Sequence, residues 1–183
     1  MNMEFLDCVR GRRSVRKYTP DKIGEAVFEK VVTAAAYAPS WKNSQTTRYI
    51  VVEDETLKNE LAENCTMGFA FNRDIINNAP AVIIVTTVAN RCGYERDGSY
   101  STSKGTHWES FDAGIATQTL CLAAYAEGLG TVIMGLFDEK KVARAAGVPD
   151  GQKISALVAI GYPDEAPAMP KRKGISELLD CRR

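Results

Sequence analysis

The chain carries one histidine in 183 residues, and it has no P-loop, no GxGxxG and no CxxC. Each absence removes a class of chemistry. His107 has no cysteine or carboxylate at ligand spacing, so no metal centre is expected. Without a glycine-rich phosphate fingerprint, the two common nucleotide-binding loops are excluded. The serine and cysteine hydrolase patterns are missing as well. Five cysteines (Cys8, Cys65, Cys92, Cys121 and Cys181) are scattered and odd in number, which fits reduced thiols in the cytoplasm and offers no disulfide framework. The longest apolar run, Ala79 to Val88, is too short to cross a membrane and reads as a buried strand. The opening MNMEFLDCVRGRR lacks the apolar centre of a signal peptide. Charge of either sign is not in excess: 23 basic residues balance 23 acidic ones, which argues against broad nucleic-acid or membrane binding, so any basic site must be local.

What is present describes an ordinary globular chain. With 45% hydrophobic and 25% charged residues, positions 1–183 read as a single domain, or as one subunit whose core a partner completes. The stretch DAGIATQTLCLAAYAEGLGTVIMG, Asp112 to Gly135, organises the rest. Ile115, Thr119, Leu122 and Ala126 recur at helical spacing with Ala116, Leu120, Ala123 and Ala124 between them, predicting a helix buried nearly all round. Ala116, Ala123 and Ala124 are small enough for close packing, and they are the candidate contact with a second copy. Gly128 and Gly130 stop the helix, and Thr131 to Met134 follow as a short strand ending at Gly135. Bare backbone there is either a binding edge for a flat ligand or only a tight turn.

In chain order, Met3 to Arg10 is a short helix. Gly11 to Tyr18 follows as a basic loop, kept out of a long helix by Gly11 and Thr19-Pro20. Its arginine forks and Ser14 suit a phosphate, although solvated basic loops are common. Gly24 to Tyr37 is an amphipathic helix ended by Pro39. In the polar loop Ala38 to Gln45, Asn43 and Gln45 suit either the edge of a heterocycle or local turn bonding. A strand over Arg48 to Val52 and a helix over Glu55 to Asn64 follow. Thr66 to Asn78 reads as irregular; Phe69 and Phe71 either cover a flat ligand or, the favoured reading, pack in the core. Ala81 to Val88 is a central strand, and Ala89 to Thr106 is a long lid, binding or mobile loop. His107 is either a catalytic acid or, the favoured reading, a surface or cap residue. Asp138 caps a helix through Ala146, and Lys153 to Gly161 is a strand. Past the extended Pro163 to Pro170 segment and a basic KRK, Ile175 to Leu179 form a short helix.

Four separated stretches, RRSVRKY, APSWKNSQ, DAGIATQTLCLAAYAEGLGTVIMG and GYP followed by KRK, together resemble the nitroreductase family in order and spacing across nearly the whole chain. The resemblance implies an α+β fold. It is a three-layer sandwich in which a mixed sheet is flanked by helices, built as an intertwined homodimer with FMN at the subunit interface. It places the phosphate loop on Arg12, Arg13, Ser14 and Arg16, assisted by two of Lys171, Arg172 and Lys173, with Arg172 and Lys173 favoured. Pro39, Ser40 and Trp41 match the loop offered to the partner's flavin, and Asn43 and Gln45 match polar positions after it. Ile133, Met134 and Gly135 match the backbone facing the flavin edge, with donors at Met134 and Gly135. The implied activity is ping-pong hydride transfer from NAD(P)H to a nitroaromatic, quinone or related small acceptor. A flavin-binding module without turnover is the alternative. Thr46-Thr47 stand where the family often has Pro-Trp, and the C-terminal arm is expected to be short. The Ala89 to Thr106 loop carries no family motif.

Overall fold

Four strands form the centre of the structure, a computed structural model that describes residues 3–182. They are β1 (Thr47–Val52), β2 (Ala81–Val88), β3 (Gly130–Met134) and β4 (Gln152–Gly161), in the order β1-β2-β4-β3. All three pairings are antiparallel. The expected mixed sheet is therefore corrected: among the described residues, parallel pairing is limited to the single bridge between Ser14 and Thr131. It goes no further because the chain turns away at once, and Tyr18 pairs antiparallel with Pro163 beyond the end of β4.

Strand alternation divides the core in two. On one face Ile83, Val85, Val158 and Ile160 meet α2 (Glu25–Ala35) and α5 (His107–Ala126). On the other, Val82, Ile84, Leu157 and Ala159 meet α3 (Glu55–Cys65), α4 (Ala70–Asn78) and α6 (Glu139–Ala146). The result is an α+β fold of three layers, completed by the peripheral helices α1 (Phe5–Gly11) and α7 (Ile175–Leu178). Local signals set the boundaries. Asp54 accepts from the Leu57 amide at 2.8 Å to start α3, and Asp138 accepts from Lys141 at 3.1 Å to start α6. Gly147, at φ 61°, closes α6 in the left-handed conformation. Among the described residues, no helix is long and apolar enough to cross a membrane.

Two readings of helices are corrected. The Thr66 to Asn78 segment is not irregular, because α4 occupies its second half. Phe69 at its N-cap offers no capping oxygen, so the usual start signal is missing; buried Ile75 and Ile76 hold the helix instead. Phe69 and Phe71 are not core residues either; both are exposed, with ring centroids 6.1 Å apart. The second correction concerns α5. Its buried face is Asp112, Ala113, Ala116, Thr117, Leu120, Cys121 and Ala124, while Ile115, Thr119, Leu122 and Ala126 are half-buried. Ala124 packs in the core shared with α2 and Ala116 is buried, while Ala123 is half-buried, so of the three small residues Ala123 keeps the most surface open on the protomer.

Candidate functional site

The basic loop is fastened to the open edge of β3. The Val15 amide donates to the Thr131 carbonyl at 3.0 Å, and the Val15 side chain is buried. Gly130 permits this approach, since a Cβ there would lie 2.7 Å from that of Val15. With Val15 anchored, its cationic neighbours turn outward. Arg13 folds back, donating to the Arg10 carbonyl at 2.5 Å and the Arg12 carbonyl at 2.8 Å. Arg16 donates through Nη1 to the Ser14 carbonyl at 3.1 Å and through its amide to Glu165 Oε1 at 2.6 Å. Its guanidinium also lies 5.7 Å from the ring centre of Phe71.

Arg12, Arg13, Ser14, Arg16 and Arg172 line one cavity of about 350 Å³. Lys171 and Lys173 do not line it. The Nε atoms of Arg12 and Arg16 are buried without a hydrogen-bond partner. Buried donors of this kind are normally satisfied, and an anion between them satisfies both. The residues present thus fit a phosphate group.

β3 continues from this cradle. In an antiparallel strand, one residue's amide and carbonyl share a side, and the side alternates. Thr131 faces outward to Val15, so Ile133 faces outward too, while Met134 faces Leu157 of β4. The Met134 amide is therefore taken up by the sheet. The open backbone belongs to Ile133, whose side chain is also exposed, and to Gly135, the first residue past the strand. From Thr131 to Gly135 the chain advances roughly 13 Å at strand rise, so the basic cradle and this edge can meet opposite ends of one elongated ligand.

Pro39, Ser40, Trp41, Asn43 and Gln45 lie elsewhere. Pro39, Ser40 and Gln45 line a second cavity of about 350 Å³ together with Tyr49, Asp112 and Ala116. Trp41 is tied to Asp112 near the start of α5, whereas Gly11, beside the basic loop, packs on Tyr125 near its end. Thirteen residues of helix separate those two points by roughly 20 Å. One protomer thus holds these two groups of residues apart. The amides of Asn43 and Gln45 are turned on each other, Gln45 Nε2 donating to Asn43 Oδ1 at 3.1 Å. Lys42, Asn43 and Gln45 all adopt positive φ, of 46°, 54° and 47°, a concentration of strain typical of functional loops.

Sequence reasoning missed three buried polar residues. Asn72 donates from Nδ2 to the Leu136 carbonyl at 3.1 Å and so fixes the turn after β3. Glu109 accepts from the Asn90 amide at 2.7 Å and pairs with Lys153. Asp112 accepts from Trp41 and from Cys92, whose thiol burial and that bond push up to about 12. The available signal was carboxylates on the apolar side of a predicted helix, which demand partners. The long loop folds on itself, with Glu95 N–H donating to the Ser99 carbonyl at 2.8 Å and the rings of Tyr94 and Tyr100 5.0 Å apart. Among the described residues, no cluster of metal-ligating side chains occurs.

Comparison with known proteins gives this geometry a context. The model of the nitroreductase family matches residues 9–162. A Thermus thermophilus protein named NADH dehydrogenase is 30% identical over 177 residues, covering 84% of each chain. The 5,6-dimethylbenzimidazole synthase of Rhodospirillum rubrum is 27% identical, covering 87% of this chain and 82% of its own. The crystal structure of a nitroreductase family protein from Clostridium novyi NT superposes with a TM-score of 0.76 at 30% identity, over 92% of this chain and 89% of that one.

Proposed function

Because this chain belongs to the nitroreductase family, an oxidoreductase family, we propose that it is an FMN-dependent enzyme that takes hydride from NADH or NADPH and reduces a small organic acceptor. The observation that carries the reading is the pair of buried, unpartnered Nε atoms of Arg12 and Arg16 in the cavity shared with Ser14 and Arg172. Arginine forks grip a phosphate dianion through charge-assisted bonds, and Ser14 adds a neutral donor. FMN, when bound, supplies a ring that takes hydride at N5 and passes the electrons on. The protein's part is positioning and electrostatics. The outward amides at Ile133 and Gly135 favour negative charge at the ring edge. Donor and acceptor use the same open place in turn, which makes the kinetics ping-pong.

The second half-site comes from another copy of the chain. Pro39 to Trp41 cannot reach the cradle of their own protomer, so a homodimer brings them to it. Large apolar side chains exposed on the single protomer, including Phe5, Phe111, Ile175 and Leu178, favour such an assembly. We read the enzyme as cytoplasmic from its free thiols.

The test is direct. Purified protein should be yellow and dimeric, and NADH or NADPH should bleach it. A colourless preparation that takes up no added FMN refutes the proposal. A yellow one that no nicotinamide reduces is a flavin-binding module without turnover. A monomer that retains FMN contradicts the shared site.

A further inference from the structure

Asp112 is 3% exposed, yet none of the ion pairs among the described residues includes it. A buried carboxylate without a cation loses solvation that hydrogen bonds must replace. Its Oδ2 accepts two: the Trp41 amide at 2.7 Å and the Cys92 thiol at 2.9 Å. The donors come from different segments, the Pro39–Gln45 loop and the Ala89–Thr106 loop. One more contact joins the same segments directly, and another does so through Trp108 in the first turn of α5. Lys42 pairs with Glu95 at 3.3 Å, and the rings of Trp41 and Trp108 lie 4.7 Å apart, tilted by 48°. Trp108 in turn donates from Nε1 to Thr102 Oγ1 at 2.8 Å. The strained residues Lys42, Asn43 and Gln45 follow directly after the anchored amide, and strain of this kind persists only where the surroundings over-determine it.

We propose that Asp112 is a positioning residue whose carboxylate locks the Pro39–Trp41 segment and the Ala89–Thr106 loop into one unit. That unit meets the flavin ring of the facing subunit and sets which acceptor reaches it. The inference rests on the flavin reading for its functional half, while the locking itself is independent of any ligand. The burial of Cys92 keeps its thiol protonated and therefore a donor across the neutral range. Acceptor choice should accordingly respond to changes on either loop, because neither moves without the other.

Asp112→Leu keeps the volume of the side chain and removes the oxygen that accepts both bonds, whereas Asp112→Asn leaves only a neutral, weaker acceptor there. Trp41 and Trp108 are the protein's two tryptophans, so near-ultraviolet circular dichroism reads their contact. Asp112→Leu should lose that signal while keeping its far-ultraviolet spectrum. It should weaken FMN and riboflavin alike, by about tenfold, since a bond to a charged group is lost at the ring end. Asp112→Asn should fall between it and the wild type in both readouts. Arg12→Ala, by contrast, should weaken FMN alone. Wild-type dichroism and flavin affinity in Asp112→Leu overturn the proposal. Should that variant fail to fold, wild-type values in Asp112→Asn overturn it instead. If the wild type binds neither flavin, the flavin reading falls and, with it, the functional half; the dichroism still decides whether Asp112 locks the loops.

Discussion

Lys153 and Glu109 pair at 2.7 Å between β4 and the first turn of α5, with the glutamate side chain 5% exposed and the lysine 45% exposed. The other carboxylate oxygen of Glu109 holds the Asn90 amide at 2.7 Å. One buried acid therefore ties the sheet, the central helix and the start of the long loop together. Removing the lysine leaves that charge uncompensated. Lys153→Met should cost about 1–3 kcal/mol, less than for a fully buried pair because the ammonium reaches water. For a chain of this size that lowers the melting temperature by roughly 2–4 °C per kcal/mol. Lys153→Met with Glu109→Leu should recover most of the loss, since two apolar groups need no partner. Thermal melts of the single and double variants decide it. A double variant no more stable than the single one would mean Glu109 acts mainly through Asn90.

The phosphate cradle makes a ligand-selective prediction. Arg12→Ala or Arg16→Ala removes one charge-assisted contact, typically worth about 1.5–3 kcal/mol. FMN affinity should fall by roughly ten- to a hundredfold, while riboflavin, which lacks the phosphate, should be nearly indifferent. Fluorescence titration with both flavins separates the cases. An equal loss for both would assign the arginines to holding the fold.

The sequence made the main layers legible, because β2, β4, α2 and α5 follow simple apolar periods. Residue type alone left the basic loop open between a phosphate site and a solvated surface; the order of the four motifs singled it out, and Arg12, Arg13, Ser14 and Arg16 do line one cavity, together with Arg172 of the terminal trio. Three features escaped for physical reasons. Phe69 and Phe71 are apolar, and apolar type alone does not report that both stay exposed, Phe71 beside Arg16. The small face of α5 has one composition whether it meets α2 or a second subunit. Strand register decides which amide is open, so Met134 could not be distinguished from Ile133 before its pairing with Leu157 was known.

The buried thiol gives a pH prediction. Cys92 rises from an ordinary value of 9.0 to about 12, through burial first and then the bond to Asp112. The fold thus favours the neutral thiol more than the unfolded chain does. Its contribution to stability is fully present below pH 9.0 and is lost as pH climbs toward about 12. Tyr49, half-buried and raised from 10.0 to about 12 chiefly by that loss of solvent, acts in the same direction. In Cys92→Ser the hydroxyl can still donate to Asp112 but does not titrate there. Denaturant melts from pH 8 to about 11 should therefore fall less steeply for this variant than for the wild type. Identical slopes would show that Cys92 does not contribute to alkaline instability.

The last prediction concerns proton chemistry, where His107 is the natural rival to a mechanism built on backbone positioning. It is the chain's one histidine and stands at the N-terminus of α5. Its side chain is exposed and makes no hydrogen bond among the described residues. Its backbone amide only closes a turn onto Lys104, at 3.0 Å. The basic cradle belongs to the opposite end of the helix, where Gly11 meets Tyr125. A catalytic acid has to come within hydrogen-bond reach of the proton it moves, and nothing in its own protomer brings His107 near the cradle. In the proposed dimer the other subunit would bring it closer, because the Trp41 loop belongs to the same end of α5. His107→Ala separates these cases. Flavin reduction by NADH or NADPH, followed by stopped-flow absorbance, should stay within about twofold of the wild type, because hydride transfer to N5 asks for orientation and fixed donors rather than a side-chain acid. A fall of roughly a hundredfold or more with FMN still bound, the scale of lost general acid catalysis, would place His107 in the reaction and overturn the backbone-only account.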